Sequence, residues 1–235
     1  MASRTTGHRR ALWAGMVVGL VLLGQGLLAG CMASDSGEPT KAEPEESGAS
    51  AEKVLFDGKT LAGWKVSDFA GHGEVVVKDG QIILEMGPAD LTGITWTGGD
   101  LPKMDYEITL EAARLDGNDF FCGLTFPVND SCCSLVCGGW GGTIVGLSCL
   151  DGFDAANNET TKFKEFDTGT WYEIRVRVTE SKIEAWIDDE PFVDANTEGR
   201  KIGVRMEVEA SQPFGIAAWR TKAGVRNIHV RPLPE

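Results

Sequence analysis

The sequence predicts an all-β fold, a two-sheet antiparallel jelly-roll sandwich. Apolar residues recur with a period of two in one segment after another, and no long segment carries the period of an amphipathic helix. The segments are short and closely spaced, so stacked antiparallel sheets are the available architecture. Glycine supplies 30 of the 235 residues, which suits many tight turns. A jelly roll accommodates this number of strands, and one of its sheets often curves to leave a concave groove.

The elements follow in order. Val75-Val76-Val77 and Gln81-Ile82-Ile83-Leu84 flank Asp79-Gly80 and read as a hairpin. Residues 106–112 alternate and read as a strand. Residues 120–126 read as an apolar strand that Pro127 stops, and residues 143–150 as another between glycine-rich loops. Residues 171–178 give the clearest signal: Ile174, Val176 and Val178 share one face, and Glu173, Arg175 and Arg177 the other. Residues 183–187 repeat the alternation, and Asp188-Asp189-Glu190-Pro191 turns the chain into Phe192-Val193. Residues 201–208 and 225–230 complete the strands.

The domain organisation has three parts. Residues 1–31 have a basic start (Arg4, Arg9, Arg10), an apolar run over 11–29, and Leu28-Ala29-Gly30-Cys31 at its end. That is the layout of a bacterial lipoprotein signal peptide, with Cys31 as the lipidated residue. The competing reading is a transmembrane helix, since the run is close to the roughly 20 residues that span a bilayer. Glycines at 15, 19, 24 and 26, with Gln25, dilute it. Residues 32–52 lack aromatic residues and read as a disordered acidic linker. Residues 53–235 form the globular domain. The expected location is the bacterial cell envelope, lipid-anchored and facing the periplasm or the exterior.

A net charge of −13 argues against nucleic acid as a partner, because its recognition needs a basic surface. Cys122, Cys132, Cys133, Cys137 and Cys149 follow Cys31, an odd number within the domain. Adjacent Cys132 and Cys133 are poorly placed to bond each other. One or two bridges within the cluster, a zinc site, or buried free thiols are the alternatives.

The ends of the domain carry a resemblance. Leu55-Phe56-Asp57-Gly58-Lys59-Thr60-Leu61-Ala62-Gly63-Trp64 resembles the opening of the 3-keto-disaccharide hydrolase domain family. Trp171-Tyr172-Glu173-Ile174-Arg175-Val176 and Val225-Arg226-Asn227-Ile228-His229-Val230 resemble its later strands, so the likeness spans residues 54–233. The resemblance implies a concanavalin A-like jelly roll and, for some members, hydrolysis of glycosides oxidised at C3. The C3 ketone acidifies the C2 proton. A base removes it, the anomeric substituent leaves by elimination, and water adds back. Such chemistry needs a general base, a group to stabilise the enolate oxygen, and in some cases a cation. The middle of the chain departs from the family pattern, with only Asn118 matching in its region. Gly138-Gly139-Trp140-Gly141-Gly142 stands where the family has a Tyr-Glu-x-Gln strand.

The candidate site residues come from this middle and from the last strands. Asn118 offers a hydrogen bond and Asp119 a base at the groove edge, although Asp-Gly-Asn-Asp is also ordinary turn chemistry. Trp140, between glycine pairs, offers an indole to stack on a sugar face, or fills the core at a sharp bend. Asp151 closes the central region. With Asp154, Asn157, Asn158 and Glu159 it makes an oxygen-rich loop that suits calcium or is simply solvated. Arg205 and Glu207, alternating on an expected strand, are candidates for enolate stabiliser and base, and Trp219 lies nearby. The alternative is a surface ion pair on an outer face. His72 is isolated, and His229 is expected to be exposed. The expected partner is a carbohydrate, as substrate of a hydrolase or as ligand of a noncatalytic glycan-binding module. A structural surface domain without a site is the third reading.

Overall fold

The computed structural model describes residues 51–234. The expected signal peptide, Cys31 and residues 32–50 of the expected linker lie outside the described residues. The strands are β1 (Lys53–Val54), β2 (Trp64–Val66), β3 (Val75–Lys78), β4 (Gln81–Leu84), β5 (Leu91–Trp96), β6 (Tyr106–Gly117), β7 (Cys122–Val128) and β8 (Ser131–Gly138). They continue with β9 (Ile144–Ser148), β10 (Lys162–Phe163), β11 (Trp171–Val178), β12 (Lys182–Ile187), β13 (Glu190–Asn196), β14 (Gly215–Trp219) and β15 (Thr221–Pro232).

They form two antiparallel sheets, the sandwich the periodicity predicts. One runs β13-β12-β11-β6-β15-β4-β3, with β1 also paired to β15; the other runs β10-β9-β8-β7-β14-β5-β2. The inner face of the first sheet contributes Ile108, Leu110, Ile174, Val176, Ile183 and Ile187 to a shared core. The second contributes Leu124, Phe126, Leu135, Leu147 and Ile216. The hairpins close on residues that tolerate positive φ, Asp79-Gly80 at 52° and 76° and Asp188-Asp189 at 51° and 63°.

Two expectations about the strands are corrected. Residues 201–208 do not form a strand: Cys149 and Gly203 exchange backbone hydrogen bonds of 2.7 and 3.1 Å, and the chain then leaves the sheet edge. It continues as a 3-10 helix over Met206–Ser211. Val208 and Ala210 pack with Phe69, Leu91 and Ala217, and the Thr95 hydroxyl donates to the Ala210 carbonyl at 2.7 Å. The segment therefore crosses the outer face of the second sheet instead of extending it. Pro127 does not stop its strand, because the neighbouring β14 has already ended opposite Thr125 and needs no donor there.

Among the described residues the five cysteines are free thiols, not bridges. Cys122, Cys133 and Cys137 face the core. Cys132 points to the opposite side, where its thiol donates to the Pro213 carbonyl at 3.6 Å. Among the described residues no three side chains of metal-ligating type gather, so a zinc cluster finds no support there.

Candidate functional site

The inner residues of β7, β8, β9 and β14 include Leu124, Phe126, Leu135, Leu147 and Ile216, whereas several of the alternate, outward residues are small. Gly123, Thr125, Ser134, Ser148 and Ala217 therefore leave the outer face of the second sheet low. Two layers stand on it. One is the 3-10 helix with Phe69, Leu91 and Trp219; the other is formed by Val136, Ile144 and Ala155. Phe120 packs with both. Between them opens a cavity of about 230 Å³ with Gly123, Ser134 and Ser148 among its lining residues. Phe120, Val136, Trp140, Val208 and Trp219 supply apolar surface, and Asp119, Arg205 and Glu207 supply charge. An apolar concavity with a few convergent polar groups is the usual form of a small-molecule site.

Five of the seven residues proposed from sequence as catalytic or substrate-binding line this cavity: Asp119, Trp140, Arg205, Glu207 and Trp219. Each reaches it for a local reason. Trp140 sits in the tight turn after β8 with φ of 49°, and its side chain stays 43% exposed. Trp219 ends β14, where its backbone N–H donates to the Phe120 carbonyl at 2.9 Å. The Phe120 and Trp219 rings lie 6.3 Å apart between centroids, so this part of the wall is continuous. Asp119 precedes β7; its Oδ1 accepts from the Phe120 N–H at 2.8 Å and its Oδ2 from the Gly141 N–H at 3.2 Å. The Asp119 carboxylate thus ties its own loop to the Trp140 turn.

Arg205 and Glu207 meet at the start of the 3-10 helix and not by strand alternation. Arg205 Nη2 donates to Glu207 Oε1 at 2.6 Å and Nε to Oε2 at 3.2 Å. Its Nη1 donates to Asp154 Oδ2 at 2.8 Å. The Arg205 donors hold the Glu207 carboxyl below the usual carboxylate range. Glu207 in turn raises the Arg205 guanidinium above its ordinary value. The pair is an ionised acid and base side by side at neutral pH.

Asn118 and Asp151 stand elsewhere. Asn118 is exposed beside the cavity and does not line it. Asp151 is exposed and accepts from Arg200 Nε at 2.6 Å. Arg200 also pairs with Glu159, and Asp154 is held by Arg205, so arginines bridge the acidic loop. The Asn158 side-chain amide is spent on the Leu147, Phe153 and Asp154 carbonyls. Asp151 and Glu159 meet on Arg200, and among the described residues no group of three or more His, Cys, Asp or Glu side chains is placed to hold a metal ion. His229 is partly buried instead of exposed and faces Glu52 at 3.3 Å.

Phe120 and Gly123 fall in the central stretch where the sequence placed the groove, but sequence reasoning did not reach Ser134, Val136, Ser148 or Val208. The available signal was the outward half of each strand. In Cys-Gly-Leu-Thr-Phe, Ser-Leu-Val and Ile-Val-Gly-Leu-Ser the positions that alternate with core residues include Gly, Thr and Ser. Small outward residues on adjacent strands mark a floor that other segments can cover.

The fold is shared with solved structures. The Crh5 transglycosylase in complex with NAG is 11% identical, with 80% of this chain and 86% of that chain covered at a TM-score of 0.56. A protein of unknown function with a galectin-like fold from Bacillus subtilis is 11% identical, with 78% and 96% covered at a TM-score of 0.55. At these identities the likeness is one of fold. No curated protein matches the sequence. A family model described as the 3-keto-alpha-glucoside-1,2-lyase-like domain matches residues 51–231, from the residues before β1 into β15. That span takes in both sheets and the cavity between the outer layers, and the chain belongs to this carbohydrate-related domain family.

Proposed function

We propose that the domain hydrolyses 3-keto-glycosides at this cavity, by C2 proton abstraction and elimination. The observation that carries the reading is the Arg205–Glu207 pair opening on a pocket walled by Trp140 and Trp219. Glu207 removes the proton at C2, and the electron pair moves onto the C3 oxygen as an enolate. Arg205 stabilises that oxygen with N–H donors that its present bonds leave over. The enolate collapses, the C1–O bond breaks, and the leaving oxygen takes a proton. Water adds to C1 of the resulting enone, and C2 regains a proton. Trp140 and Trp219 hold the sugar by its apolar faces. Asp119, with both oxygens engaged by backbone donors, shapes the rim.

The test is product release. Residues 51–235 are incubated with a 3-keto-disaccharide and with its unoxidised parent. Cleavage of the keto-sugar alone is expected, and cleavage of neither by folded protein sinks the reading. A second reading has its own support: both carboxylates are already occupied, and Glu207 is held below the usual carboxylate range by Arg205. A noncatalytic glycan-binding module would show sugar binding without turnover.

The domain's location is part of the same proposal. Cys31 carries the lipid, and residues 32–52 tether the domain to the envelope surface. Cells fed a labelled fatty acid should label the full-length protein and not its Cys31→Ala variant. Equal labelling of both would remove the anchor.

A further inference from the structure

Arg114 lies in β6 and is 6% exposed, yet among the described residues it pairs with no carboxylate. Its partners are all backbone carbonyls. Nη1 donates to Phe166 at 3.1 Å, and Nη2 is shared among Gly142 at 2.9 Å, Asp119 at 3.2 Å and Gly138 at 3.4 Å. Nε has no partner. The guanidinium stacks near Phe121 and Phe166, with centroid distances of 5.4 and 6.0 Å. A buried cation with no directly paired anion is costly, although the charge of Asp119 offsets part of its burial, and a neutral side chain of similar shape would pack among these rings without that penalty. What the charge secures is a set of carbonyls that no apolar residue can hold.

Those carbonyls have a pattern. Gly138 and Gly142 bracket Trp140, and Asp119 immediately precedes Phe120. Both segments line the cavity, and Arg114 itself does not. Gly138 fits the arrangement twice over: its φ is 80°, and a Cβ there would stand 2.6 Å from Arg114 Nη2. The Gly141 N–H to Asp119 Oδ2 bond joins the same two segments from above. We infer that Arg114 is a positioning residue for the cavity, clamping the Trp140 turn and the Asp119 loop from beneath so that both rims keep their places. The inference about substrate rests on the proposed carbohydrate function; the inference about the rims does not.

The test compares Arg114→Lys, Arg114→Met and Gly138→Ala with Val176→Ala, a core truncation remote from the cavity. Gly138→Ala displaces the guanidinium without removing its charge but also strains its own turn, so if the Arg114 variants fail to fold it is read only by exchange in residues 118–120. Two quantities are read, amide hydrogen exchange in residues 118–120 and 138–143, and KM against kcat on a 3-keto-disaccharide. We expect exchange in both segments to speed up about tenfold beyond the change in global stability, which local opening permits. We expect KM to rise about tenfold while kcat stays within about threefold, because Arg205 and Glu207 are untouched. Exchange that rises uniformly, as in Val176→Ala, overturns the proposal. Local loosening with an unchanged KM in an active parent also overturns it. If the parent turns over no substrate, the functional reading fails by itself, and the exchange data still decide whether Arg114 holds the rims.

Discussion

Arg205 grips both carboxylate oxygens of Glu207 across a single intervening residue, at 2.6 and 3.2 Å. The grip is possible because Arg205 is the extended residue that caps the 3-10 helix, while Glu207 lies in its first turn. Asp154 fixes the guanidinium from the opposite side at 2.8 Å. In the proposed mechanism a base and an electrophile are thereby held together at the cavity before any ligand arrives. Such preorganisation is what lets charge developing in a transition state be met without rearrangement.

Glu207→Gln should lower kcat on a 3-keto-disaccharide by about 10²–10⁴-fold, the range for removing a positioned general base. The pH profile gives a sharper check. Arg205 keeps Glu207 ionised to lower pH than an ordinary carboxylate, so activity should persist through neutrality and fall only on acidification. Arg205→Met removes that support and should shift the acid limb upward. A limb that stays in place would mean that Glu207 is not the titrating base.

Trp140→Ala should weaken sugar binding roughly tenfold, since an aromatic face contact is worth about 0.5–1.5 kcal/mol beyond its buried area. The ring is already 43% exposed, so its loss leaves little cavity in the core. The stability change should stay within about 0.5 kcal/mol, as for other surface substitutions. Calorimetric titration and a urea melt of the same variant separate the two effects. A large loss of stability with unchanged binding would make Trp140 a structural residue.

The sandwich was legible because strand periodicity is local. β11 and β12 alternate without exception, and their buried residues are the ones the pattern selects. The Arg205–Glu207 neighbourhood was legible by residue type and misread by geometry. The alternation over residues 201–208 is genuine, but Val208 and Ala210 are drawn onto the outer face of the sheet by Phe69, Leu91 and Ala217. That pull comes from residues more than a hundred positions upstream in the case of Phe69 and Leu91, and no local window contains it. β5 and β14 escaped notice for a related reason. Gly93 and Ala217 sit opposite each other where large residues would fill the floor, so the apolar signal of both strands is diluted. Asp151 was drawn to the site by its place at the close of the central region, and Arg200 claims it.

The thiols should report the same architecture. In residues 51–235, native protein at pH 8 should react with a thiol reagent first at Cys149, the one cysteine of the five that is not buried. Cys133 should be among the slowest, because burial pushes its thiol up to about 12 and leaves little thiolate to attack. Denaturation without reductant should release the full set. Fewer thiols in the denatured than in the reduced and denatured protein would show that a bridge has formed.

Glu107 anchors the far face of the first sheet and should control acid stability. Its side chain is 4% exposed. Arg177 Nη2 lies 2.8 Å from Oε2, Arg231 Nη2 lies 2.7 Å from Oε1, and Arg175 Nη1 lies 3.6 Å from Oε2. The arginines stand on β11 and β15, the two strands that flank β6, so one carboxylate ties three strands together. Burial alone would raise the Glu107 carboxyl, but the hydrogen bonds from Arg231 and Arg177 outweigh it, and the net direction is downward. A carboxyl lowered on folding contributes stability that is fully present above its unfolded value, about 4.3. That contribution is lost as pH falls through the lower folded value. Glu107→Gln keeps the shape and leaves three cations facing a neutral amide. It should cost about 2 kcal/mol, below the roughly 3–5 kcal/mol of a fully buried pair because the arginine heads are partly solvated. Urea melts of the parent and the variant at neutral pH and near pH 3 decide the matter. The difference between them should shrink on acidification, and a difference that stays constant would mean that Glu107 acts through packing and not through charge.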